Sequence, residues 1–312
     1  MRLDDPRADT LTAYLRVLRD TKPRTFLLEN VTGLAFKGKK EGLDRLLVGI
    51  EQINHETGTK YSPVWKVLDS AGFGVPQHRE RIFIVASRDG KEFKFPKATH
   101  GRAQDCLFGA GLEPYRTTWD AFGDLPERPN NPLLKVSGKW ADLLPSIPEG
   151  ENYLWHTPRG GGMPLFGWRT RFWNFLLKLA KDRPSWTIQA QPGPATGPFH
   201  WTNRRLSTEE LCRLQTFPDG LQFGCGRNDI QRLLGNAVPS LVAEVIAREI
   251  RTQLLGKPVI RRKPGLLLPK RNLMPPPARP GKVPVAFHAL AGNHTAHPGT
   301  GQGNRARQRV AV

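Results

Sequence analysis

The chain has 312 residues, a formal net charge of +19, 38% hydrophobic residues and three cysteines. That length holds one large domain and a smaller companion, and no apolar run approaches the roughly 18 residues that cross a bilayer. The first five residues lack the apolar core of a signal peptide, and Cys106, Cys212 and Cys225 show no metal-ligand spacing, so the expectation is a cytoplasmic protein with free thiols and no metal.

The charge points to a polyanionic partner, of which nucleic acid is the usual one. It is concentrated, however. From Arg251 onward there are twelve Lys and Arg and no Asp or Glu, and a solvated, disordered extension accounts for such a run equally well.

In chain order, Asp5 and Pro6 suit the start of a helix, with Leu11, Tyr14, Leu15 and Leu18 on one face. Residues 25–28 read as a buried strand, 43–53 as a second helix, and 64–68 and 82–86 as further strands. Strands alternating with helices predict an α/β domain with a mostly parallel sheet. From about 95 to 201 helical periodicity fades and Pro and Gly become frequent, but Trp119, Trp140, Trp155, Trp168, Trp173 and Trp186 supply material for a core. Ser207 and Glu210 then form a capping-box pattern, and a last helix starts near Ser240. Beyond Leu255 the chain is Pro-rich and is expected to be unfolded.

Four segments carry candidate chemistry. Glu29 ends an apolar strand, where α/β sheets bind ligands. Partial desolvation there favours the protonated form, suited to a general acid. For an isolated Glu, capping a loop is the ordinary alternative. Arg79 and Arg81 alternate ahead of a buried run, so in a strand both guanidinium groups point the same way and can hold a carboxylate, phosphate or base oxygen, with Gln77 adding an amide. A surface salt-bridge pair is the competing reading. Arg204 and Arg205 precede the capped helix, where packing competes with a phosphate contact. Gly235-Asn236-Ala237-Val238-Pro239 is a turn leading into a helix.

Taken in order, these pieces resemble the DNA (cytosine-5) methyltransferases. Asp5-Pro6-Arg7, Glu29-Asn30-Val31, Gln77-x-Arg79-x-Arg81, Arg205-Leu206-Ser207 through Gln215-Thr216-Phe217-Pro218, and Gly235 to Pro239 resemble five family segments over residues 1 to about 255. The resemblance implies a Rossmann-like S-adenosylmethionine-dependent methyltransferase sheet with a smaller, loop-rich target recognition domain. It implies double-stranded DNA as the partner, with the target cytosine flipped into a pocket. By the same resemblance Glu29 bonds the base, Arg81 bonds the base oxygen and holds Glu29, and Arg79 supports them. Asn236, Ala237 and Val238 lie against S-adenosylmethionine, while Gln77, Arg204 and Arg205 are the candidate DNA contacts.

The expected organisation is a partial catalytic domain over 1–95, a target recognition domain over 96–200, a return to the catalytic domain over 201–255 and a disordered basic tail over 256–312. The family's glycine-rich cofactor loop and Pro-Cys nucleophile precede the first resembling segment, and these 312 residues contain no Pro-Cys dipeptide. The sheet is therefore expected to be incomplete at its N-terminus. The chain would need a complementing N-terminal segment or subunit and would be inactive alone. A modification enzyme of a restriction–modification pair, one half of a split methyltransferase, and a non-catalytic DNA-binding remnant all remain open.

Overall fold

The computed structural model describes residues 7–34, 41–107, 111–127, 131–168, 173–292 and 294. Asp5 and Pro6, the expected helix start, lie outside the described residues. Helices α1 (Arg7–Thr21) and α2 (Glu41–Thr57) alternate with strands β1 (Thr25–Val31), β2 (Val64–Asp69) and β3 (Glu80–Ser87). A short parallel pair, β4 (His100–Gly101) and β5 (Glu113–Pro114), flanks α3 (Ala103–Leu107). Helices α4 (Thr118–Phe122), α5 (Thr208–Leu214), α6 (Arg227–Asn236) and α7 (Ser240–Gln253) follow.

Packing divides the chain into two units. One comprises Met1–Tyr115 and Val238–Leu267, the other Arg116–Ala237 and Leu268–Val312. The boundaries thus fall near 115 and 237, not at 95 and 200. Residues 201–237 side with the second unit because Leu206, Leu211, Leu214, Ile230 and Leu234 share a core with Phe122, Leu179, Ile188 and Trp201.

In the first unit the sheet order is β1-β3-β2. The expected mostly parallel sheet is not found among these strands, since β3 pairs antiparallel with both neighbours. The β2–β3 connection, residues 70–79, is too short for the crossover that parallel pairing needs. Strand β3 covers both faces through its period of two. Ile82, Ile84 and Ala86 pack with Leu18, Phe26, Leu43, Leu46 and Ile50 under α1 and α2. Phe83 and Val85 face the other way, into Leu241, Val242, Ile246 and Ile250 of α7. The α1 residues Leu11, Tyr14, Leu15 and Leu18 all join the first cluster, as their spacing predicts. The two helices approach closely at Gly49, where an added Cβ would lie 2.6 Å from Leu15 Cδ1.

The second unit is loop-rich, and its aromatic residues do supply cores. Phe122 and Trp201 stack at 5.0 Å, and Trp140 packs against Phe166, Phe175 and Phe287. Trp173 and Trp186 instead remain substantially exposed, edge to face with each other. The Ser207–Glu210 capping box forms as predicted, with both reciprocal hydrogen bonds.

Residues 256–292 are not the unfolded tail that their composition suggests. Within the first unit, Glu244 accepts hydrogen bonds from the backbone N–H groups of Gly265 and Leu266 at 2.9 and 3.0 Å. Within the second, residues 268–292 form a strap. Arg116 Nε donates to Leu268 O at 3.0 Å, and Arg271 N donates to Asp120 Oδ1 at 2.7 Å. Gly281 N donates to Pro145 O at 2.9 Å and Gly292 N to Pro164 O at 3.1 Å. Phe287 is buried and stacks on Trp140 at 5.7 Å and 16°. These partners lie far away in sequence, so composition carries no trace of them.

Candidate functional site

The site begins with strand register. In the β1–β3 ladder Val31 opposes Arg81 and Glu29 opposes Phe83. Glu29 and Arg81 are therefore diagonal neighbours on one face, within reach of long side chains. Their side chains meet, Arg81 Nε to Glu29 Oε1 at 3.1 Å, and both remain partly open to solvent. Burial pushes the Glu29 carboxyl up from its usual range, against the opposing charges of Arg81 and Arg79 and the hydrogen bond from Arg81. The direction agrees with the expectation of a carboxyl group that holds its proton more readily than a surface one. Arg81 itself is lowered by burial and raised by Glu29. On the other face, Asn30 Oδ1 accepts a hydrogen bond from the N–H of Val31 at 2.8 Å, tightening the strand end.

Arg79 is held differently from the sequence expectation. It lies before β3, not in it, and is almost fully buried. Burial, with the neighbouring Arg81 charge, lowers its pKa to about 10, and Glu29 opposes that shift. Gln77 is completely buried, so the DNA contact expected of it is unavailable in this fold.

What fixes this loop is Asp69, at the end of β2, which sequence reasoning passed over. Its Oδ1 accepts from Arg79 N at 2.9 Å and Ala71 N at 3.2 Å, and its Oδ2 meets His78 Nδ1 at 2.7 Å. Burial acts to raise the Asp69 pKa, but these hydrogen bonds and the His78 charge outweigh it and hold the carboxylate low. Ser70 completes the clasp, its N and Oγ both donating to Arg79 O. An Asp at the end of an apolar strand is too common a pattern to single out; the signal lies in its partners.

In the second unit, Arg204 and Arg205 diverge. Arg204 is buried, donating from Nη1 and Nη2 to the two oxygens of Glu210 at 2.8 and 2.6 Å. That corrects the expectation of a DNA contact there, because the fork is spent on anchoring α5. Arg205 is half-buried, with its backbone N–H donating to Leu134 O at 2.7 Å. The Gly235–Pro239 motif is the last two residues of α6 and the three-residue link that leads into α7. Gly235 sits where an added Cβ would come within 2.4 Å of the Ala190 backbone, so close approach demands the glycine. Asn236 is exposed; Ala237 and Val238 are half-buried.

None of the three cysteines follows a proline, as the family's nucleophile does. Cys212 is buried within α5, and burial, with the Asp219 and Glu209 charges, pushes its thiol up to about 11. Cys106 lies in α3, with its Sγ 3.2 Å from Arg102 O, and Cys225 is exposed in the loop before α6. Among the described residues no group of three or more His, Cys, Asp or Glu is arranged to hold a metal ion, and no helix is long and apolar enough to cross a membrane.

An α/β sheet with a Glu–Arg pair at a strand end fits the family resemblance, and the family comparison gives the class. The model of the C-5 cytosine-specific DNA methylases matches residues 1–252, and the chain belongs to that family. Among its relatives is the type II methyltransferase M.SacI of Streptomyces achromogenes, 42% identical over 262 residues, covering 80% of this chain and 65% of M.SacI. The type II methyltransferase M.NgoFVII of Neisseria gonorrhoeae is 32% identical, with 80% and 64% covered. The chain thus spans somewhat less than two thirds of each relative's length. An E. coli crystal structure, assigned as a prophage-encoded DNA modification methyltransferase, shares the fold with a TM-score of 0.51 at 17% identity, covering 81% of this chain and 76% of that one.

Proposed function

We propose that this protein serves as a DNA (cytosine-5) methyltransferase, a cytoplasmic enzyme that modifies double-stranded DNA as part of a restriction–modification pair. The observation that carries the reading is the Glu29–Arg81 pair. It joins a carboxyl group of raised pKa to a guanidinium near the carboxyl end of the half-buried strand β1, within the family match.

A cytosine inside a duplex is out of reach, so the base must leave the stack. Its Watson–Crick edge offers a ring nitrogen, an exocyclic amine and a carbonyl oxygen. Glu29 in its protonated form donates to the ring nitrogen while its second oxygen accepts from the amine. Arg81 donates to the base oxygen and keeps the carboxyl group oriented. Arg79 holds the local positive charge, and Asp69 holds Arg79. Proton donation at the ring nitrogen makes carbon 6 more electrophilic, which is the contribution of these residues to the reaction.

S-adenosylmethionine supplies the methyl group. The exposed Asn236 amide and the apolar surfaces of Ala237 and Val238 fit one edge of such a cofactor. Attack on carbon 6 needs a thiolate, and none of Cys106, Cys212 and Cys225 follows a proline as the family's nucleophile does. In this reading the thiolate comes from a Pro-Cys segment beyond these 312 residues, in the same polypeptide or in a partner.

The test is transfer of labelled methyl groups to double-stranded DNA by this chain, with and without the Pro-Cys-bearing N-terminal part of M.SacI. Transfer is expected only with the added segment, falling on the order of 10²-fold or more in Glu29→Ala. Methylation by the chain alone would overturn the assignment of the thiolate, and an unimpaired Glu29→Ala variant would overturn the role of the pair.

A further inference from the structure

In the second unit, Arg205 and Arg227 line the same open groove, about 400 Å³ in volume, together with Asn228, Gln231, Arg232 and residues 190–192 and 194. A smaller cavity next to it is lined by the same two arginines. Arg227 opens α6 and is half-buried, anchored by a hydrogen bond from Nη2 to Leu206 O. Its Nε is buried with no acceptor among the described residues. Burial, with the neighbouring Arg205 charge, lowers the Arg227 pKa, and Glu210 opposes that shift.

The groove holds one carboxylate, Asp229, and it is committed to Arg232 at 3.0 Å. Gln231 is likewise committed, its Nε2 donating to Gln189 O at 2.6 Å. Arg205 and Arg227 therefore both line one open space whose single carboxylate is taken by Arg232. Such an arrangement is repulsive until an anion enters, and the planar fork of Arg suits phosphate oxygens. The lining contains no aromatic ring, so there is no platform on which a base could stack. An open, polar groove of this kind contacts the charged backbone of a polyanion.

We propose that the groove between Arg205 and Arg227 is a phosphate-binding site that takes a backbone phosphodiester of DNA, positioning the duplex without reading its sequence. This rests on the DNA-methyltransferase reading for its choice of ligand, but the phosphate chemistry stands on the groove alone.

Two arms separate the sources of phosphate. In the first, duplex affinity is measured against salt concentration for the wild type, Arg205→Gln, Arg227→Gln and the double variant. Each lost phosphate contact lowers the slope of log K against log salt by about 0.9, and the groove takes one phosphodiester, so the double variant is expected to lose about 0.9 with its sequence preference unchanged. Arg227→Lys keeps the charge and is expected to keep the slope, provided its thermal midpoint matches the wild type. In the second arm, inorganic phosphate is titrated while the arginine Nε–Hε resonances of the two residues are followed by NMR, and both are expected to shift. An unchanged slope in the folded double variant overturns the assignment to DNA. Resonances that do not respond to phosphate overturn the site itself. If the wild type binds no duplex while both resonances shift, the functional reading fails and the phosphate site stands.

Discussion

Phe287 offers a direct test of whether the C-terminal strap is part of the folded protein. Its ring is 7% exposed, lies nearly parallel to Trp140 and shares a core with Leu143, Leu144, Tyr153 and Leu176. Replacing a buried Phe by Ala costs roughly 3–5 kcal/mol. The strap can respond by detaching, so the cost falls on local opening first. At the lower end, about 3 kcal/mol, the open population of the strap rises by roughly 10²-fold, since each ~1.4 kcal/mol is a factor of ten. Native-state hydrogen exchange reads this at two amides whose acceptors lie far away in sequence, Gly281 bonded to Pro145 O and Gly292 bonded to Pro164 O. Phe287→Ala is expected to accelerate exchange at both by about that factor. Strand β3, hydrogen-bonded on both sides in the other unit, should keep wild-type protection. Equal exchange at Gly281 and Gly292 in variant and wild type would refute the view that Phe287 holds the strap.

Two further outcomes follow from buried ionisable groups. Burial lowers the Lys178 pKa from 10.5 to about 8, with Glu149 opposing, so between those values the unfolded chain binds a proton that the folded chain does not. Stability should therefore rise with pH across that window, by up to about 3 kcal/mol. Urea melts at pH 8 and 10.5 should show this gain in the wild type and not in Lys178→Met; an equal gain in both would remove Lys178 as its source. Thiol reactivity should follow exposure, so a maleimide or iodoacetamide at pH 8 should modify Cys225 well before Cys212, whose thiol is pushed up to about 11. Peptide mass mapping checks the order, and early modification of Cys212 in the folded chain would contradict its burial in α5.

Local patterns were legible in the sequence where the physics is local. The buried run of β3, the helical face of Leu11, Tyr14, Leu15 and Leu18, and the Ser207–Glu210 cap all formed as read, while β1 formed as a strand of which only Phe26 is buried. The pairing of Glu29 with Arg81 was legible only through the family resemblance, because nothing in either segment announces the register that brings them together. Three things were hidden for a common reason. The antiparallel run of β3 depends on where β1 and β2 lie. The clasp of Asp69 on residues 70–79 depends on a turn that brings Arg79 back to the end of β2. The order in residues 268–292 depends on acceptors at Pro145 and Pro164. The charge of Arg204 likewise misled, since a sequence does not show that Glu210 consumes both ends of its fork.

The strap also sets an order of assembly. Phe287 fills a cluster whose other members begin at Val136, and Leu268 packs against another that begins at Ala121. The first unit has the same property, because α7 seals the Phe83–Val85 face of a sheet whose strands were made long before it. Neither unit can close its interior while the ribosome is still working through the chain that completes it. Each spends translation with apolar surface uncovered, so slowing elongation late in the message, or blocking residues 268–292 with a fused partner, should lower soluble yield even when every residue of the site is intact.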